Sequence, residues 1–239
     1  MQIHVLENAQ QVSQAAATLF AAQIIRKPDS ILGLATGSSP IGCYQQLISW
    51  HKAGILDFSR CVSYNLDEYC GLPVEHECSY HAFMKAQLFD AINMKEWHVP
   101  DGNAQDLQAE CRRYDAAIEA AGGIDMQLLG IGRNGHIGFN EPSAQLSYGT
   151  QIVELTESTI QANRRFFESE ADVPRQAISL GIGGIMNAKE VVLIAMGEDK
   201  AQAIYDTVNG PINPMVPASI LRAHPHVTIL VDKAAGKLR

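Results

Sequence analysis

Three short stretches hold residues whose types and spacing suit proton transfer and anion binding. In "LLGIGRNGHIGFNEP", Leu128 to Pro142, His136 is followed five positions later by Glu141. An imidazole exchanges protons near neutral pH. A carboxylate this close in sequence can hold the ring, fix its tautomer and keep its pKa near the working pH. In "YNLDEYCGL", Asp67 and Glu68 directly follow a strand-like run. Side chains alternate along a strand, so at most one of these neighbours faces a crevice at its end. A carboxylate there is a general base, a metal ligand or a solvated loop acid. In "GLATGSSP", a buried-looking strand runs into Thr36, Gly37, Ser38 and Ser39, with Pro40 at the expected first turn of a helix. Free backbone N–H groups and the positive helix end make such a turn an anion site. Gly37 allows close approach, and the hydroxyls add donors. The same pattern also fits an ordinary capped turn, and the G-K-[ST] ending of a Walker A loop is missing.

Two cations stand in comparable places. Lys200, in "MGEDKA", follows a strand and Gly197 at the first turn of a helix. A lysine is unfavourable there unless an anion is bound. In "ANRRFF", Arg164 and Arg165 face differently, and one is expected to turn inward. Taken singly, either cation reads as surface charge. Gly130, Gly132 and Gly135 spell the G-x-G-x-x-G of dinucleotide sites. That fingerprint requires its third glycine inside a continuing helix, and an acid about 20 residues on at a strand end. Gly138 and Pro142 come too soon for such a helix, and Glu154 lies inside its strand candidate. The glycines instead suit a tight loop that brings His136 to a surface.

The elements that must hold these loops alternate. Strand-like runs "IHVL", "SILGLA", "CVSYNL", "IDMQLLGIG", "TQIVEL", "AISLGI", "EVVLIAMG" and "HVTILVD" are separated by helical patterns. The first of these, "ENAQQVSQAAATLFAAQIIRK", has Val12, Ala15, Ala16, Leu19, Ala22 and Ile25 at helical spacing. Others run through "IGCYQQLISWHKAG", "SYHAFMKAQLFDAI", "AQDLQAECRRYDAAIEAAGG", "TESTIQANRRFFE", "GGIMNA" and "EDKAQAIYDTV". This order predicts an α/β fold: a modified doubly wound, mostly parallel sheet with helices on both faces, in a single domain. Such sheets bind ligands beyond the carboxyl ends of their strands, which is where the polar stretches fall.

Composition narrows the function classes. Of 239 residues, 46% are hydrophobic and 18% charged, enough apolar material for a substantial core. The formal net charge of −8 disfavours nucleic acid and anionic membranes as partners, so an anionic substrate needs a local positive site. The start, "MQIHVLENAQ", lacks a basic segment followed by an apolar run, and no stretch approaches the ~18 apolar residues of a membrane span. Five cysteines, Cys43, Cys61, Cys70, Cys78 and Cys111, form no C-x-x-C pair, which suits reduced thiols in the cytoplasm. Cys70, beside Gly71, is the one to test for reactivity.

Taken together, the segments "LGLATGSSP", "NLDEYCGL", "SYHAFM", "GNAQDLQAECRRY", "LLGIGRNGHIGFNEP", "ANRRFF" and "GEDKA" resemble the glucosamine-6-phosphate deaminase family nearly end to end and in the same order. The resemblance implies conversion of glucosamine 6-phosphate and water to fructose 6-phosphate and ammonia, with no metal or organic cofactor. It assigns the general base to Asp67, ring-opening acid–base chemistry to His136 and support of that histidine to Glu141. It assigns phosphate binding to Thr36, Gly37, Ser38, Ser39, Arg165 and Lys200. It makes the region 151–176 a mobile lid that carries Arg165.

Two departures from the family pattern carry consequences. Asn134 stands where longer members have an aspartate that joins the histidine's carboxylate group. An amide orients but adds no charge, so ring opening rests more heavily on Glu141. Longer hexameric members bind an allosteric sugar phosphate through basic residues after the "N-E-P" loop. Here that region reads "QLSYGTQIVE", which argues against allosteric activation and for a monomer. Three alternatives share parts of the pattern: 6-phosphogluconolactonase, the galactosamine-6-phosphate deaminase–isomerase, and sugar-phosphate sensor domains of transcription regulators. Sensors carry an attached basic DNA-binding segment, and the acidic chain shows none.

Overall fold

The computed structural model describes residues 1–164, 167, 169 and 172–238. The chain runs β1 (Gln2–Leu6), α1 (Ala9–Arg26), β2 (Ile31–Leu34), α2 (Ile41–Lys52), β3 (Val62–Asn65), β4 (Asp67–Tyr69), α3 (Tyr80–Gln87), β5 (Glu96–His98) and α4 (Leu107–Ala120). It continues β6 (Met126–Leu129), β7 (Gln151–Glu154), α5 (Glu157–Asn163), β8 (Gln176–Ser179), α6 (Ile182–Met186), β9 (Glu190–Ala195), α7 (Ala201–Asn209) and β10 (Val227–Asp232). Helix starts carry the expected caps. Asn8, Ser79 and Asp106 each accept a backbone N–H in the first turn of α1, α3 and α4.

Seven strands form one parallel sheet in the order β1-β10-β9-β6-β2-β3-β5. From β2 the chain steps outward through β3 to β5. It then returns to lay β6 on the other side of β2 and proceeds to β9 and β10. Strand order therefore reverses between β2 and β6, and the loops that leave these two strands diverge, opening a crevice. Strand alternation sorts the core into two layers. Leu32, Leu34, Met126, Leu128, Val192 and Ile194 pack with α1 and α2, while Ile31, Leu129, Val191 and Leu193 pack with residues of α4, α6 and α7. β2 and β6 are buried along their whole length, as central parallel strands covered on both faces must be.

The expected single alternation of strands and helices needs one correction. β4, β8 and β7 leave the main sheet and form a separate antiparallel sheet in that order. Asp67 and Glu68, expected directly after the strand that holds Tyr64 and Asn65, lie in β4, where Asp67 pairs with Ser179. Leu66 makes the transfer: its N–H donates to the Leu34 carbonyl (3.1 Å) and its carbonyl accepts from Leu180 (2.7 Å). β4 and β5 are three residues each, "DEY" and "EWH", too short to show alternation. Of the helix expected over 156–168, α5 covers Glu157–Asn163, and part of the remainder lies outside the described residues.

At the amino ends of the switch-point strands, buried Asp125 accepts the Ile31 N–H (2.8 Å) and contacts Lys27 Nζ (2.5 Å) and Lys189 Nζ (2.6 Å). Burial raises its carboxyl, but Lys189, Lys27 and the Ile31 amide outweigh this and hold it below 3.8. Its stabilising contribution is therefore complete above that ordinary value and is lost as pH falls through the lower folded one. Asp125→Ala should lose about 2–3 kcal/mol at neutral pH, because it strips a buried hydrogen bond and two ion pairs together. Urea unfolding measures the deficit, which should narrow in acid.

Candidate active site

The carboxyl ends of β2, β3, β6 and β9 surround one cavity of about 930 Å³. Its wall on the β2 side is Ala35–Ser39. Tyr44 of α2 fixes where that turn begins: its hydroxyl donates to the Ala35 carbonyl (2.6 Å) and accepts the Ala35 N–H (3.1 Å). Gly37 has φ +91°, a left-handed conformation that a side chain would strain. Pro40 has helical φ and ψ, and its carbonyl accepts the Tyr44 N–H (3.0 Å), so α2 begins at the turn as expected. Lys200 and Asp199 line the cavity from the turn before α7. Arg165 lies outside the described residues.

Asp67 lines the cavity and is only 6% exposed. Its carboxyl is pushed up to about 8, first by burial and then by the neighbouring Glu68, against a hydrogen bond from Thr36. Thr36, Gly37, Ser38 and Ser39, the residues expected to serve an anion, all line the same cavity as Asp67. Glu68 points away from the cavity. It accepts N–H groups from Tyr69 (2.8 Å), Tyr80 (2.9 Å) and His81 (2.8 Å), and so anchors the start of α3. The adjacent acids divide as strand alternation requires: one in the crevice, one in the scaffold.

His136 comes from the tight loop after β6. The Gly135 N–H donates to Gly132 O (3.1 Å), and the Gly132 N–H donates to His136 O (2.9 Å). The imidazole lies directly over Gly132, where a Cβ would sit 2.4 Å from ring atoms. This close approach, not a pyrophosphate, is what the second glycine of the apparent dinucleotide motif serves. Nδ1 is 3.3 Å from Glu141 Oε1 and has no other partner among the described residues, which leaves Nε2 for a ligand. Glu141 stands behind the ring, with its side chain 8% exposed. It receives Asn134 Nδ2 (2.6 Å) on Oε2 and the Thr159 hydroxyl on Oε1. Burial raises its carboxyl, but His136, then Thr159 and Asn134, outweigh burial and hold it at about 2. Asn134 also accepts the His136 backbone N–H (3.2 Å), so the amide orients both partners. Asn140 is structural. Its amide donates to the carbonyls of Ile137 and Leu180 (2.9 Å each) and pins the loop to the end of β8.

The remaining wall includes Tyr69, Tyr80 and Phe139, with the rings of Tyr80 and Phe139 stacked at 6.1 Å. Arg133 and Asp199 meet across the mouth at 2.8 Å. Sequence reading passed over these residues and Thr159. Arg133 lies inside the histidine motif and Thr159 sits three residues after the α5 cap, but neither type announces itself. Cys70 is half-buried and its thiol is pushed up to about 11 by burial, which leaves a filler rather than a reactive thiol. Among the described residues, no three His, Cys, Asp or Glu groups are placed to hold a metal ion, and no helix is long and apolar enough to cross a membrane.

Comparison with known proteins shows the family and the fold. Residues 6–230 match the family model described as glucosamine-6-phosphate isomerases/6-phosphogluconolactonase. Glucosamine-6-phosphate deaminase of Alkaliphilus oremlandii (strain OhILAs) is 52% identical, covering 100% of both chains. The Clostridioides difficile (strain 630) deaminase is 52% identical over 99% of this chain and 96% of its own. A solved structure described as a monomeric glucosamine-6-phosphate deaminase superposes with a TM-score of 0.97 at 44% identity, covering all of both chains. The 6-phosphogluconolactonase of Thermotoga maritima, at 17% identity and TM-score 0.77 over 97% of this chain and 99% of its own, shares the fold. The chain belongs to the glucosamine-6-phosphate isomerase/6-phosphogluconolactonase family.

The packing of His136 on Gly132 yields a direct test. Gly132→Ala should displace the imidazole and break its contact with Glu141. The Glu141 carboxyl should then titrate above about 2, toward its ordinary 4.5. Carbon NMR of the carboxyl group follows the midpoint. An unchanged midpoint would mean that His136 does not hold Glu141 down.

Proposed function

We propose that this chain converts glucosamine 6-phosphate and water to fructose 6-phosphate and ammonia. The observation that carries the reading is the shared cavity: Asp67, His136 and the 36–39 turn line one space at the strand-order reversal. The phosphate binds at the 36–39 turn with Lys200, which places C1 and C2 between Asp67 and His136. Its binding energy serves to orient the reacting end. In this reading Arg165 is the second cation of the phosphate site, so Arg165→Ala should raise KM as Lys200→Ala does.

With Nδ1 turned to Glu141, His136 uses Nε2 to move a proton from the O1 hydroxyl to the ring oxygen, which opens the ring to an aldehyde. Glu141 stabilises the imidazolium that forms in between. Asp67 then takes the C2 proton while the C2 ammonium gives one of its protons to O1, leaving an enol with a neutral amine on C2, and Asp67 returns its proton at C1. The resulting C2 imine adds water and expels ammonia, leaving the ketone. One carboxylate reaches both carbons because they are adjacent. The substrate's C2 ammonium, beside Asp67, favours the ionised form that burial disfavours.

The same reading makes the chain a cytoplasmic monomer, consistent with its five free cysteines and with the monomeric description of its structural relative. Sedimentation should return a single 26.0 kDa chain.

A coupled assay should detect ammonia from glucosamine 6-phosphate, and the galactosamine epimer in parallel measures preference. Lactone hydrolysis without ammonia would overturn the reading. Asp67→Asn should lose on the order of 10²–10⁴-fold in turnover, the weight of a positioned acid–base group. Lys200→Ala should chiefly raise KM. A base must be ionised, so kcat/KM should rise with pH through about 8, well above the ordinary 3.8 of an aspartate. The raised folded value also means that stability held below pH 3.8 is lost as pH climbs through about 8. Asp67→Asn should therefore be more stable than the parent in alkali, by thermal unfolding.

A further inference from the structure

Glu141 Oε1, the oxygen that faces His136, is contested. The Thr159 hydroxyl donates to it, the Thr156 hydroxyl approaches at 3.4 Å, and His136 Nδ1 stands at 3.3 Å, beyond a full hydrogen bond. A carboxylate oxygen offers about two lone-pair sites, and the other oxygen is engaged by Asn134 at 2.6 Å. Thr159 cannot swing away. It is 6% exposed, its N–H donates to the Thr156 carbonyl (2.9 Å), and its hydroxyl also receives the Thr156 hydroxyl (3.0 Å). Among the described residues that contact Glu141, His136 is the titratable one, while Asn134, Thr156 and Thr159 are neutral.

We propose that Thr159 is a positioning residue for the ring-opening pair: by occupying the Glu141 oxygen that faces His136, its hydroxyl limits how tightly the carboxylate holds the imidazolium. A neutral donor on that oxygen spreads its charge and keeps the ring at arm's length. The contact between ring and carboxylate is thereby looser than one made to an unshared oxygen. What the pair does chemically rests on the function proposed above. The coupling of Thr159 to His136 through Glu141 does not.

The test uses Thr159→Val, which keeps the shape and removes the donor, and Thr159→Ser, which keeps the hydroxyl. The His136 imidazole is titrated by NMR, with its resonance identified by its loss in His136→Gln, and kcat/KM is followed against pH. Thr159→Val should raise the His136 midpoint by about half a unit or more. It should lower kcat about tenfold, the weight of one hydrogen bond to a charged group. Thr159→Ser should restore the parent midpoint. A folded valine variant with an unchanged midpoint overturns the proposal, as does a serine variant that shifts as far as valine. If valine prevents folding, Thr159→Ala removes the same donor without bulk and is read in the same way. Should the parent release no ammonia, the proposed reaction fails, yet the NMR midpoints still decide the coupling.

Discussion

The site depends on a constraint of sheet topology. Two adjacent parallel strands whose connections leave in opposite directions cannot cover the space between their own carboxyl ends. Here those strands are β2 and β6, and the uncovered space is the cavity. The turn after β2 contributes backbone donors, and the loop after β6 contributes the imidazole. Neither loop has to be long, because the reversal already separates them. The small antiparallel sheet closes the third side and brings in Asp67, so the cavity lies where two sheets meet.

An acidic chain that handles an anionic sugar must control its carboxylates individually. Three of them show how. Asp67 is buried with one hydroxyl donor and a neighbouring acid, and is pushed toward the neutral form. Glu141 is also buried, but its donors and the imidazole hold it firmly ionised. Glu68 collects three backbone N–H groups and works as a structural tie. Residue type alone is the same chemistry in each case. Burial and donor count assign the three tasks.

Much of this was legible in the sequence. The polar stretches at 36–39, 67 and 136 were identifiable because strand-like runs end at or shortly before them, and all of these residues line one cavity. The parallel sheet followed from the alternation of elements. What escaped has identifiable causes. The second sheet is built by pairing β4 with β8 and β8 with β7, far apart in the chain, which no local pattern encodes. The three-residue strands carry no periodicity. Thr159 reaches Glu141 across 18 positions, a pairing that only the folded chain creates.

The Asp67–Glu68 dipeptide carries a further consequence. On a strand this short, consecutive side chains point to opposite sides, and each side needs a different reach. Swapping the two letters would leave mass, charge and hydropathy untouched. It would nevertheless push a longer arm into the cavity and leave a shorter one beneath α3. The order of two acids, invisible to any measure of composition, is therefore as strict a requirement as the identity of either.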